Sequence, residues 1–293
     1  MRNFSAIVAA TLLCAASPAW ADGYLAQRFE PAPAGAGWMT QDSLKLAGGL
    51  GGALAFTTGY RHTPDEAHAT PITDFAIANI GMAATYDRYR LSFDLASPLY
   101  VRGPAADSPR LDIASHPDTT LDVRIALAAR LWGDVDGPFR VGASAQLFVP
   151  SADQSDYMSD GTYRAQFRAL VAGDVGGLVY AAHVGYHARP LFRAEVLAGA
   201  AGGWRFALRE SRAAVVIGAE GNAAWTGGAV AGSYHTLEGL LGLRYERPGL
   251  FGHLLRVKLG GGLGMELGSP VGGRVVVAVE FVGLADEVTE AER

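Results

Sequence analysis

Few side chains in this sequence could do chemistry, and most of them fall short on spacing. His183 and His187 stand four residues apart, which on a helix would put two imidazoles on one face. The residues around them alternate as in a strand. At a rise of about 3.3 Å per residue the pair lies about 13 Å apart, too far to share one ion. No metal site is expected there. Ser233 stands two residues before His235 near the expected end of a loop, and these are the residue types of a Ser–His lipid hydrolase. The same neighbours arise by chance at many loop ends. The run Gly260-Gly261-Gly262 lacks the helix that follows a phosphate cradle, so it reads as strand closely approached by other backbone. The patterns H-E-x-x-H, G-x-S-x-G and G-x-x-x-x-G-K-[ST] do not occur. Neither an enzyme nor a cofactor is expected.

A second set of polar residues is more informative, because it recurs on one face of successive segments. In Leu121-Asp122-Val123-Arg124-Ile125-Ala126-Leu127 the odd positions are apolar, while Asp122 and Arg124 share the even ones with the later Arg130. In a strand those two sets point to opposite sides. Arg140 to Phe148, Leu237 to Glu246, Leu255 to Leu259 and Val275 to Phe281 repeat the pattern. Parity then places Asp122, Glu220, Glu238, Glu246 and Glu280 on one face, together with Arg124, Arg130, Arg140, Arg244, Arg256 and Lys258. The signs nearly balance. If the strands enclose a lumen, such charges either pair across it into a plug or line a water-filled path with little ionic selectivity.

The elements that must hold these residues are strands throughout. Twelve are expected, over about 46–61, 74–86, 89–100, 120–131, 139–149, 164–173, 178–187, 192–204, 213–225, 235–246, 253–265 and 273–283. Leu46 to Tyr60 is uncharged but contains Gly48, Gly49, Gly51, Gly52 and Gly59, each costing a helix interior up to about 1 kcal/mol, so a strand fits better than a membrane helix. Long, loose connections rich in Pro, Asp, Ser, His and Gly alternate with tight ones such as Asp87-Arg88 and Asp174 to Gly177. The seventh, around Ala188 to Leu191, is short and breaks the long rank. Long outer loops and short periplasmic turns are the pattern of a bacterial outer-membrane barrel. Within lipid such strands must close, because an open edge leaves backbone groups unpaired. The expected fold class is therefore all-β, a closed antiparallel transmembrane barrel over 46–283 with both termini periplasmic.

Composition and the chain's beginning agree with export to a membrane. Of 293 residues 49% are hydrophobic and 18% charged, more apolar than an ordinary soluble domain. Only Lys45 and Lys258 are lysines, whereas a soluble sandwich would carry many on its wet face. Net charge −5 offers no footprint for nucleic acid. The only cysteine is Cys14, so neither a disulfide framework nor a cysteine-based metal site is available to the rest of the chain. Arg2, the apolar stretch Phe4 to Ala16 and Ala19-Trp20-Ala21 have the three parts of a secretory signal, with cleavage expected after Ala21. The apolar stretch is shorter than the roughly 20 residues of a membrane span. Residues 22–45 are then expected to be a periplasmic segment and 284–293 a short acidic tail.

The segment Arg28-Phe29-Glu30-Pro31-Ala32-Pro33-Ala34-Gly35 resembles an opening segment of some OmpA-family proteins, where it precedes the first barrel strand. Asp42-Ser43-Leu44, Gly59-Tyr60, Leu147-Phe148-Val149-Pro150 and Val179-Tyr180-Ala181-Ala182 follow in a similar order, so the likeness covers most of 22–283. It implies an outer-membrane barrel. The periplasmic peptidoglycan-binding domain that often follows has no counterpart in a chain that stops at Arg293. The last strand, ending in Phe281, also resembles the recognition signal of outer-membrane proteins, which implies the barrel-assembly machinery as a partner.

These readings lead to an OmpA-like outer-membrane barrel acting as a narrow porin or transporter for small hydrophilic solutes. A structural barrel with a salt-bridged, plugged lumen is the second expectation, and a lipid hydrolase using His235 the third. Membrane lipid and lipopolysaccharide are the expected surroundings, with Asp65, Glu66, Asp107, Asp118, Asp153, Asp156 and Asp160 giving the outer loops an acidic lean.

Overall fold

The computed structural model describes residues 29–46, 49–64, 72–103, 120–151, 159, 161–189, 194–208, 211–226, 235–249, 253–266 and 271–283. Among them every regular element is a strand. They are β1 (Leu50–His62), β2 (Asp74–Tyr86), β3 (Tyr89–Arg102), β4 (Val123–Trp132), β5 (Arg140–Val149) and β6 (Arg164–Val175). They continue as β7 (Leu178–Ala188), β8 (Glu195–Leu208), β9 (Ala213–Thr226), β10 (His235–Pro248), β11 (His253–Glu266) and β12 (Gly272–Gly283). Each pairs antiparallel with its sequence neighbours, and β1 pairs with β12 from Gly52–Gly283 to His62–Gly273, closing the barrel. Closure leaves no edge among the twelve. All twelve expected strands are present, most within a few residues of their expected bounds.

The register is continuous around most of the wall. It shifts between Ala76 and Ile77, where Ile77 faces Pro98, a residue with no N–H to give to the ladder. A second shift between Arg130 and Trp132 brings β4 to its turn. Connections with short turns, such as Asp87-Arg88 and Gly176-Gly177, gather at the end where β1 begins and β12 finishes. The longer connections gather at the opposite end.

Alternation sorts the side chains cleanly. Leu54, Phe56, Ile80, Met82, Leu91, Leu127, Phe167, Val184, Ile217, Leu241, Leu259 and Val275 stand exposed on the outside. Aromatic residues flank this apolar band at both ends. Tyr86, Tyr89, Trp132, Phe139, Trp204 and Phe206 are exposed toward the short turns, and Tyr60, Tyr163, Tyr186 and Trp225 toward the long loops. The inner face buries charged and small residues.

Residues 22–45 are expected to form a periplasmic segment; of these the structure describes 29–45, and with Leu46 they run through the barrel interior. Phe29, Ala34, Ala36, Trp38, Met39, Gln41, Leu44 and Leu46 are all buried there. The first strand accordingly begins at Leu50 rather than 46, because Leu44 and Leu46 turn inward instead of joining the ladder. The segment folds back on itself: Ala32 N–H donates to Met39 O at 2.7 Å and Ser43 N–H to Ala36 O at 2.8 Å. Gly35 and Gly37 hold the bends at φ 81° and 97°, a left-handed backbone that suits glycine. Several expected features lie outside the described residues: the leader, Arg28, Ser233, Tyr234, the seven acidic loop residues and the tail.

Candidate functional site

The inner face and the segment inside it form one packed polar site. All eleven residues assigned to the polar parity point inward. Asp122, Arg124, Arg130, Arg140, Glu220, Glu246, Arg256, Lys258 and Glu280 are buried, and the Glu238 and Arg244 side chains are only 15% and 11% exposed. They do not form one lattice across open space. Part of the set pairs along the wall, and part grips the inner segment.

The wall pairs lie mostly between neighbouring or next-neighbouring strands. Glu280 of β12 accepts from Lys258 Nζ at 2.6 Å, with Arg256 at 3.5 Å. Glu246 of β10 is approached by Arg256 at 2.9 Å, Arg244 at 3.0 Å and Arg205 at 3.2 Å. Arg274 pairs with Glu238, Arg124 with Asp94 at 3.2 Å, and Arg164 with Asp122 at 2.8 Å. Buried charge of this kind persists only when paired and hydrogen-bonded.

The inner segment supplies the remaining partners. Its Asp42 pairs with the buried Arg90, and its Glu30 accepts from Arg168 at 2.9 Å. Glu220 of the wall accepts from the Met39 and Thr40 N–H groups at 2.8 Å each, and from the Thr40 hydroxyl at 2.7 Å. Six wall cations donate to its backbone carbonyls. Arg124 reaches Pro31 O at 2.6 Å, Lys258 reaches Trp38 O at 2.7 Å, and Arg130 reaches Leu46 O at 3.0 Å. Arg140 reaches Ser43 O at 3.0 Å, Arg244 reaches Gly37 O at 3.0 Å, and Arg256 reaches Gly35 O at 3.4 Å. Lys45 then pairs with Asp174 and, at 3.0 Å, with Asp136, tying the segment down beside the short turns.

Apolar contacts fill what the charges leave. Trp38 carries the Arg244 guanidinium 5.0 Å from its ring centre, and Phe29 carries that of Arg274 at 4.8 Å. Arg274 faces Arg61 near the far end of β1, so Phe29 lies toward the long-loop mouth and Lys45 toward the short-turn mouth. Inward glycines make room for the segment. A Cβ on Gly142 would meet Leu44 Cδ2 at 2.7 Å, one on Gly199 Gln41 Nε2 at 2.5 Å, and one on Gly260 Met39 Sδ at 2.6 Å. Two cavities between segment and wall measure about 20 and 10 Å³, beside Trp38 and Glu220 and beside Asp42 and Gln146. Each has room for about one water.

The two histidines part company, as their spacing on β7 requires. His183 Nδ1 lies 2.6 Å from Gln41 Oε1 of the inner segment, and His187 Nδ1 lies 3.2 Å from Glu195. Among the described residues no group of three His, Cys, Asp or Glu side chains could hold a metal. Arg90, Asp94, Arg164, Arg168, Glu195 and Arg274 also belong to the site and were not among the expected residues. Parity would have included Arg90, Asp94, Arg164, Arg168 and Arg274. The whole inner segment was missed, and its signal lay in the glycines at inward strand positions.

No family model matches the sequence, and no curated protein matches it. Solved structures also match over most of this chain. The COG4313 outer membrane channel from Pseudomonas putida F1 is 14% identical with a TM-score of 0.49, covering 79% of this chain and 95% of that one. The beta domain of the Bordetella autotransporter BrkA is 12% identical with a TM-score of 0.45, covering 79% and 98%. Pseudomonas aeruginosa OccK1 is 8% identical with a TM-score of 0.36, covering 80% and 98%.

Proposed function

We propose that this protein is an outer-membrane channel for small hydrophilic solutes, closed at rest by its own residues 29–46. The observation that carries the reading is that the wall is complete without the segment. All twelve strands close through their own ladders, and the segment's bonds to the wall are made by side chains rather than by ladder positions. Removing it would break no strand pairing. It would leave an inner face of guanidinium, ammonium, carboxylate and amide groups, which water can wet.

The membrane setting rests on the outer surface. An apolar band flanked by aromatic belts at both ends is what a lipid-facing barrel presents, and no soluble surface would expose so much contiguous hydrocarbon. The short-turn end is then periplasmic. Strand β12 with the outward Phe281 supplies the recognition strand for barrel assembly, and lipopolysaccharide surrounds the long-loop end. The segment from Phe29 to Gly35 keeps the likeness to OmpA-family openings, placed within a barrel instead of before it. The role is passage of solute, with no catalytic step.

A second reading is a permanently plugged structural barrel, favoured by the many buried contacts that hold the segment. Planar-bilayer recording separates the two. Asp42→Asn removes the charge that pairs with Arg90, so it should lengthen and multiply openings relative to the native chain. Silence from both proteins, each folded by its heat-dependent gel migration, would leave the structural role.

A further inference from the structure

We infer that the lumen of this barrel, once residues 29–46 move out of it, selects for anionic solutes; this rests on the closed-channel reading. The segment satisfies the wall asymmetrically. It offers six wall cations neutral carbonyl oxygens, which accept their hydrogen bonds without cancelling their charge. Among the described residues Arg130 is held by carbonyls alone, those of Gly133 and Leu46. The two carboxylates that the segment contributes, Glu30 and Asp42, neutralise Arg168 and Arg90. When the segment leaves, both go with it, and Lys45 is the only positive charge lost in exchange. The six lose their carbonyls at the same moment. Of the wall carboxylates, Glu220, Asp174 and the exposed Asp136 lose segment donors, and Asp174 keeps Arg140 at 3.5 Å. The others stay paired with wall cations, as Glu280 does with Lys258 and Arg256.

The freed cations also have the right placement. Arg130 and Arg140 stand beside the short-turn mouth, and Arg90 and Arg168 share the row of Ala128 and Ser144, two residues above Arg130 along the wall. Guanidinium groups spaced along a narrow path, already oriented toward oxygen acceptors, suit carboxylate or phosphate oxygens taken over in sequence. Near-balance of charge holds for the eleven residues that alternation first assigns, and it is lost once Arg90 and Arg168 are added and their partners removed. The solute class is therefore small organic or inorganic anions.

The test is the reversal potential in a potassium chloride gradient. The full chain carrying Asp42→Asn should open with chloride several-fold more permeant than potassium. Adding Arg90→Gln and Arg168→Gln should bring the ratio toward one. A second protein lacking residues 29–45 reads the same quantity without relying on the gate. Anion preference there with a silent full chain would keep the inference and reject gating. Openings without anion preference would keep gating and reject the inference. A folded deletion chain that never conducts would overturn it. So would a deletion chain that cannot fold beside a silent Asp42→Asn protein, because the segment would then be part of the wall.

Discussion

Lys258 has two tasks at the residue scale. Its ammonium donates to Glu280 at 2.6 Å and to Trp38 O at 2.7 Å, so one buried cation joins β12 to the inner segment. Lys258→Met would leave Glu280 with Arg256 alone, at 3.5 Å. Breaking a buried pair on one side costs about 3–5 kcal/mol. The variant should lose its compact gel migration at a lower temperature than the native chain. Changing Glu280→Leu as well should restore most of the loss, since an apolar pair of similar volume is often tolerated in place of buried ions. No restoration would mean that Glu280 serves another partner. These residues were legible in the sequence because a strand's period of two separates Lys258 and Arg256 from Val257 and Leu259. Arg90 and Arg274 obey the same period but sit close to strand ends, where the boundary was least defined. Glu195 opens β8 beside a connection whose length gave no warning of it.

At the element scale the strands and the inner segment contrast in what they announce. A strand half buried in lipid and half in a polar interior repeats its pattern over ten or more residues, as β4 and β12 do, and such repetition survives without knowledge of the fold. Residues 29–46 have no period. Their Pro, Ala and Gly content reads equally as an extended linker, and only the partner surface decides that they fold back inside the barrel. That surface left a trace in the strands. Gly142, Gly199, Gly242 and Gly260 occupy inward positions where Leu44, Gln41 and Met39 press. Gly260→Val should therefore act on the segment before it acts on the wall. Its Cβ would fall 2.6 Å from Met39 Sδ, while the nearest backbone atom, Leu241 O, lies at 3.3 Å. Limited proteolysis should cut the 29–46 segment faster in this variant, with the barrel's gel migration retained. Equal rates would mean that Met39 adjusts in place.

For the whole molecule the long–short rhythm of connections pointed to a closed barrel, and the barrel is there. The strand number left the lumen undecided between filled and open. The structure shows why: the chain's own N-terminal portion takes the space, so width alone could not settle it. The charges of the expected pore lining are a binding surface for that portion. On the channel proposed above, gating is a competition between water and the segment for the same guanidinium and ammonium groups.

A covalent lock tests that account most directly. The Cβ of Ala34 lies 3.7 Å from where a Cβ on Gly81 would stand, within the span of a disulfide, although the Asp94 carboxylate must turn aside. Cys14 is the only native cysteine and precedes the described residues, so Ala34→Cys with Gly81→Cys adds the only pair in the barrel strands and inner segment. Recorded in a planar bilayer, the oxidised protein should stay silent and open after reduction, with the folded gel migration unchanged. Equal conductance before and after reduction would contradict a lumen closed by its own N-terminal segment.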